Sequence, residues 1–222
     1  MDQDRYVQVG SQPSVLETNK VLRNTYMLLA MTLAFSAVCA GITMSMNMGQ
    51  GMALGMSLTA LVMIFFLNKV ANSSMGILFV FAFTGLLGGS LGPMLNAYLA
   101  FPGGGALVMQ ALGTTALVFF GLSAYVLTTK KDFSYMGGFL MVGLIVAIVA
   151  SVANIFMGIP ALSLAISAAI VFIMSGLILF DTSRIVNGGE TNYIRATVSM
   201  YLNIYNLFTS ILHLLGAFGG DD

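Results

Sequence analysis

Seven apolar stretches separated by short polar connections account for most of this chain: residues 26–46, 52–67, 75–95, 106–127, 136–157, 162–180 and 196–218. A helix crossing the hydrocarbon layer needs roughly 20 mostly apolar residues, because the layer is about 30 Å thick and the helix rises about 1.5 Å per residue. The second stretch is short for a crossing, and the seventh is the least apolar. Only 7% of the 222 residues are charged, where a soluble domain carries about 25%. Too few charges remain to solvate a globule of this size, which argues against a water-soluble enzyme. The sequence predicts an all-α integral membrane protein, a bundle of seven transmembrane helices.

The cations test this segmentation independently. Arg5, Lys20 and Arg23 precede the first span, Lys69 follows the second, Lys130 and Lys131 follow the fourth, and Arg184 and Arg195 follow the sixth. The connections after spans one, three and five, and the C-terminal tail, carry none. All eight therefore fall on alternate rungs of the ladder, as the positive-inside rule requires. This places the N-terminus in the cytoplasm and the C-terminus outside.

The first residues are polar and run into span one without the apolar core of a signal peptide. The segment starting at Met1 and running through Asn19 reads as a flexible tail. The expected organisation is a cytoplasmic tail 1–23, a membrane domain 24–218 and a short external tail 219–222, with no internal repeat. Zero net charge without a basic run gives no footprint for nucleic acid. The single cysteine, Cys39, permits neither an internal disulfide nor a thiolate metal site. Met44, Met46, Met48, Met52 and Met56 cluster around the first external turn; thioethers so spaced suit Cu(I), but methionine also fills irregular helix packing. No catalytic motif is present, and no cofactor or metal is expected.

In lipid, polar residues carry the information. Gly88 and Gly92 stand four apart in span three, a spacing that lets two helices approach closely. On span seven, Ser199, Asn203, Asn206, Ser210 and His213 recur at intervals of 4, 3, 4 and 3. At about 100° per residue they share an arc of roughly 80°. Asn and His left facing lipid would cost a few kcal/mol each, so this seam must face other helices or water, and the last helix is expected at the centre of the bundle. The seam serves either as interhelical hydrogen bonding or as a hydrated ion path. His213 is either a bonded packing histidine or a proton carrier.

Asp181 directly follows the apolar run of span six. Across the hairpin that joins spans six and seven it can meet Asn203 and latch the two helices. The alternatives are a solvated interfacial carboxylate or a pair with Arg184, three residues on.

The run Phe180-Asp181-Thr182-Ser183-Arg184-Ile185, followed by Gly188-Gly189-Glu190-Thr191-Asn192-Tyr193-Ile194-Arg195-Ala196-Thr197, resembles the transmembrane Bax inhibitor motif family, and within it the bacterial YccA-like branch. Lys20-Val21-Leu22-Arg23-Asn24-Thr25-Tyr26, Phe81-Ala82-Phe83-Thr84-Gly85, Ala124-Tyr125-Val126-Leu127-Thr128-Thr129-Lys130-Lys131-Asp132 and Tyr201-Leu202-Asn203-Ile204-Tyr205-Asn206-Leu207-Phe208 agree with it, so the resemblance covers nearly the whole chain. It implies a seven-helix bundle around the last helix. It also implies a non-enzymatic regulator of the inner membrane that binds and restrains the membrane-anchored, ATP-dependent protease FtsH; the flexible tail from Met1 to Asn19 would offer that protease a cytoplasmic handle.

In several relatives two aspartates, one closing span six and one early in span seven, form a proton-sensitive latch for a calcium leak. Asp181 occupies the first position, but the second is Asn203, which cannot ionise. Lys69 falls where relatives place an arginine near the latch. Two close carboxylates share a proton and titrate as a pair. One carboxylate cannot, and it attracts a divalent cation less. A pH-sensitive Ca²⁺ or H⁺ leak is thus the rival expectation to protease modulation.

Overall fold

A backbone in hydrocarbon must satisfy its own polar groups, which a helix does within a single segment. The computed structural model describes residues 15–219 and is built from helices, with no strand among the described residues. They are α1 (Val15–Ser45), α2 (Gln50–Ile64), α3 (Leu67–Val70), α4 (Met75–Ser90), α5 (Gly92–Leu99), α6 (Gly104–Thr129), α7 (Gly137–Met157), α8 (Pro160–Val186) and α9 (Tyr193–Phe218). Among the described residues, six segments are long and apolar enough to cross a membrane: Thr18–Ser45, Met75–Leu99, Gly104–Thr129, Ser134–Met157, Pro160–Val186 and Tyr193–Phe218.

The expected second span, 52–67, departs from this pattern. Its helix, α2, has 15 residues and reaches about 22 Å, short of the roughly 30 Å layer. Its last turn tightens, with Phe65 N donating to Val62 O at 3.2 Å and Phe66 N to Met63 O at 2.9 Å, and the polar Asn68 and Lys69 follow on α3. Six helical segments rather than seven therefore meet the length of a crossing. The expected third span is broken at Leu91 and resumes as α5, with Pro93 at its start. Proline lacks the amide proton that an unbroken helix needs there.

Two boundaries move outward. Helix α1 begins at Val15, so residues 15–23 of the expected tail 1–23 are helical; residues 1–14, and 220–222 at the other end, lie outside the described residues. Helix α8 does not stop at Phe180 but runs on to Val186, which puts Asp181 inside the helix. Nothing in 181–187 breaks a helix. Gly188 does, in the left-handed region at φ 77°, and Glu190 N then closes the end by donating to Arg184 O at 3.0 Å. Helix α9 starts at a side-chain cap: Asn192 Oδ1 accepts from Ile194 N at 2.9 Å and Arg195 N at 3.1 Å.

Contacts across helices give their relative directions. Thr197 on α9 donates to Thr25 O of α1, and Tyr201 bonds Ser36 further along both helices. Tyr201 and Tyr205 meet Thr84 and Ser90 of α4 in the same order. Helices α1, α4 and α9 are thus parallel. Helix α8 is antiparallel to them, since Asp181 meets Ser199 while Ser167 meets His213. The glycines of α4 and of the start of α5 seat this segment on α1. A Cβ at Gly88 would strike the backbone of Ser36, and one at Gly92 would strike Thr43. Thr43 Oγ1 donates across this close approach to Gly89 O at 2.8 Å.

Helix α9 packs against α1, α4, α6 and α8, whereas α7 packs chiefly against α8. Large buried side chains of α9, among them Met200, Tyr201, Leu207 and Leu212, join one apolar cluster with residues of α1, α4, α6 and α8.

Candidate functional site

The polar groups concentrate at one end of the bundle. Ser199 and Asn203, one helical turn apart on α9, present to the same side, and both reach Asp181 of α8. Ser199 Oγ donates to Asp181 Oδ2 at 2.6 Å and Asn203 Nδ2 donates to the same oxygen at 2.7 Å. Asp181 and Asn203 are buried. Both hydrogen bonds converge on one carboxyl oxygen. They join α8 to α9 where neither helix can bond through its backbone.

The other two partners considered for Asp181 are engaged elsewhere. Arg184 Nη2 donates to Gly189 O at 3.2 Å and stands 3.7 Å from Glu190 Oε2, and its guanidinium lies over the Phe180 ring at 5.5 Å. Glu190 is the hub, because its Oε1 also accepts from Arg195 Nη2 at 3.0 Å and Asn192 N at 2.8 Å. Lys69 Nζ sits 5.5 Å over the Phe66 ring and makes no ion pair or hydrogen bond among the described residues.

The rest of the seam divides. His213 Nδ1 and Ser167 Oγ on α8 share a hydrogen bond of 2.8 Å. Asn206 turns back to its own helix, donating to Leu202 O at 2.8 Å. Ser210 is buried. The structure thus brings Asp181, Ser199 and Asn203 together, sets His213 apart with Ser167, and leaves Arg184 and Lys69 outside the cluster.

Around the Asp181 cluster the connections are tied to one another. Asn192 Nδ2 donates to Ala71 O at 2.9 Å and Asn72 Oδ1 at 2.7 Å. Ser183 Oγ accepts from Phe133 N at 2.8 Å and donates to Asp132 Oδ1 at 3.4 Å. Asp132 lies outside the spans, and its bonds from Ser134, more than the one from Ser183, hold its carboxyl below the usual range. Thr18, Lys20 and Asn24 of α1 line a crevice with Gly188, Glu190 and Tyr193. These ties gather the connections bearing Lys69, Lys130, Lys131, Arg184 and Arg195, together with the start of α1, at one end of the bundle. The hydroxyls of Thr25, Tyr26, Ser123 and Thr182 are buried without a protein partner; they come from α1, α6 and α8, three of the helices packed on α9.

Sequence reading missed Glu190, Asn192 and the tyrosine pair Tyr201 and Tyr205. Glu190 and Asn192 lie between α8 and α9, where helical spacing carries no signal. The tyrosines stand four apart on the same helix as the seam, and that spacing was a usable signal. Among the described residues no group of three or more His, Cys, Asp or Glu is placed to hold a metal.

A bundle of apolar helices whose polar side chains turn inward on one another is an integral membrane protein. Residues 18–220 match the family described as Inhibitor of apoptosis-promoting Bax1, and the chain belongs to that family. It is similar to the Escherichia coli K12 protein named Modulator of FtsH protease YccA, 56% identical over 203 residues that cover 91% of this chain and 92% of the relative. An Escherichia coli O6:H1 relative with the same identity and coverage is named Inner membrane protein YccA. A Vibrio cholerae protein, described as an uncharacterized membrane protein, is 54% identical over 223 residues, 100% of both chains.

Proposed function

We propose that this chain is a non-enzymatic protein of the bacterial inner membrane that binds FtsH and restrains its action on membrane substrates. The observation carrying the proposal is the 56% identity, over 91% of the chain, to a relative named for modulating that protease. The architecture is compatible with such a role. A protease that extracts its substrates from the membrane must unpack α9 from four neighbours and break the Asp181 bonds before the chain yields. The protein would therefore occupy the protease as a slow substrate. In this reading the end bearing the basic connections is cytoplasmic, α2 completes a seven-span bundle around α9, and the N-terminus is the handle offered to the protease.

The test is co-purification from native membranes with a proteolytically inactive FtsH, together with the half-life of an unrelated FtsH membrane substrate. Binding, and a longer substrate half-life when this chain is abundant, are expected. Failure to co-purify with no change in half-life rejects the proposal. Because α1 already begins at Val15, a deletion of residues 2–14 tests the handle without cutting into helix. It should leave the protein in the membrane and lengthen its own lifetime in cells containing FtsH.

The buried carboxylate of Asp181 favours a second reading, an ion leak closed by the α8–α9 latch. Reconstituted in liposomes, the chain would then pass Ca²⁺ in a manner altered by Asp181→Ala. Asn203→Asp would add pH-dependent gating, since it places a second carboxylate on the first. Flux no greater than that of empty vesicles at neutral and mildly acidic pH removes this reading.

A further inference from the structure

A cavity of about 420 Å³ lies between α1 and α6, over the face of α9 opposite the one that meets Asp181. Its floor is α9, through Tyr201, Ile204, Tyr205 and Phe208. Helices α1 and α6 both pack on α9 but hardly on each other. Small residues, Ala37, Ala40 and Gly41 on one wall and Ala116 on the other, keep the walls apart. A Cβ built on Gly41 meets nothing within 4 Å. Phe119 closes one end, its ring 6.0 Å from that of Tyr26. On the rim, Leu112 and Phe120 are exposed among the outward-facing apolar side chains of α6, so the cavity opens sideways onto hydrocarbon. Its volume falls within the roughly 300–1,000 Å³ of small-molecule sites.

The hydrogen-bond inventory of the lining restricts the occupant. No charged residue lines the cavity. Tyr201 donates its proton to Thr84 O at 3.2 Å, so Ser36 is the donor in its 2.6 Å bond with Tyr201. Ser90 donates to Leu87 O at 2.7 Å, so Tyr205 is the donor in its 3.1 Å bond with Ser90. Thr115 donates to Ala111 O at 2.7 Å. Every side-chain proton in the lining is thus committed to the protein. A phosphate, carboxylate or carbonyl inside would lose its hydration and receive no donor in return, at several kcal/mol. A hydrocarbon chain requires no donor.

We propose that this cavity is a binding site for the acyl chain of a bilayer phospholipid, admitted laterally between α1 and α6. The headgroup stays at the membrane surface, and the chain fills the gap that the small residues leave. The site rests only on the chain's residence in a bilayer and stands or falls independently of FtsH.

The test is photolabelling of the purified full chain in phosphatidylethanolamine and phosphatidylglycerol vesicles, doped with a phosphatidylcholine that bears a diazirine near the end of one acyl chain. Adducts are located by peptide mass spectrometry. Labelling of Ile204, Tyr205 or Phe208 is expected, beside the general labelling of α7, and it should be lost in Gly41→Leu/Ala116→Leu while α7 stays labelled. Gly113→Leu, also entering open space on α6, should leave the floor labelled. If the double variant loses the α7 pattern as well, Gly41→Leu alone is read in its place. A floor that stays unlabelled beside a labelled α7 overturns the proposal. So does floor labelling that persists after filling.

Discussion

Helices α7 and α9 look alike by length and differ in almost everything else. Helix α7 belongs to a segment of mean hydropathy 2.6, yet only 11% of the residues in its most apolar stretch are buried; for α9 the values are 1.2 and 50%. In water the more apolar helix would take the interior. In lipid the tails are as apolar as leucine, so burying hydrocarbon gains little, and the groups that cannot face lipid decide the sorting. Helix α9 carries Ser199, Asn203, Tyr201, Tyr205 and His213, and each finds a partner on α1, α4 or α8. Helix α7 has only weak claims on a partner and stays at the rim, with Val146, Val149 and Phe156 outward.

The comparison is broken most severely at the latch. Asp181→Leu strands the Ser199 hydroxyl and the Asn203 amide in the interior, and should destabilise the bundle by on the order of 3 kcal/mol. Unfolding in mixed detergent micelles measures the loss, and an unchanged midpoint would show that the two helices do not depend on this carboxylate. Next is packing alone. Leu212→Ala removes a fully buried side chain from α9 and should cost about 2 kcal/mol, the low end for such truncations because no water-transfer term is lost. Val149→Ala on α7 should stay within about 0.5 kcal/mol. Equal losses at the two positions would erase the distinction between the helices. Asn192→Ala removes the cap of α9 and its tie to Ala71, and should cost about 1 kcal/mol; Asn192→Asp, which keeps the cap oxygen, should recover the larger part.

The smallest effect sharpens how α7 is tethered. The Asp132 carboxyl, held low by its bonds from Ser134 and Ser183, contributes stability that is fully present above the ordinary aspartate value of about 3.9. That contribution fades as pH falls through the lower folded value. The pH dependence of the melting midpoint in acid should therefore be shallower in Asp132→Asn than in the parent. Identical profiles would mean that the tether is not felt.

The Asp181–Asn203 pairing was legible as a carboxyl and an amide on adjoining helices of one hairpin, whereas Ser199 was placed only on the seam, and the structure brings it to the same oxygen. What spacing cannot supply is competition. Arg184, three residues from Asp181, was an equal candidate on paper, but Gly188 turns the chain so that Glu190 comes back to meet it. Asn206 belongs to the seam by angle and nevertheless bonds its own helix, since a carbonyl one turn away is always at hand.

The amino-acid sequence alone determined the solvent, the all-helical class, the rungs that carry the basic residues and the helix that must turn its polar face inward. These follow from composition and from a helical period that lipid cannot alter. Only the tertiary structure decided that the third apolar stretch breaks at Leu91, that α8 carries Asp181 inside its last turns, and that α1 and α6 leave a gap over α9. These depend on which side chains compete for the same partner and on how closely glycine backbones approach, quantities that exist only once the helices are packed.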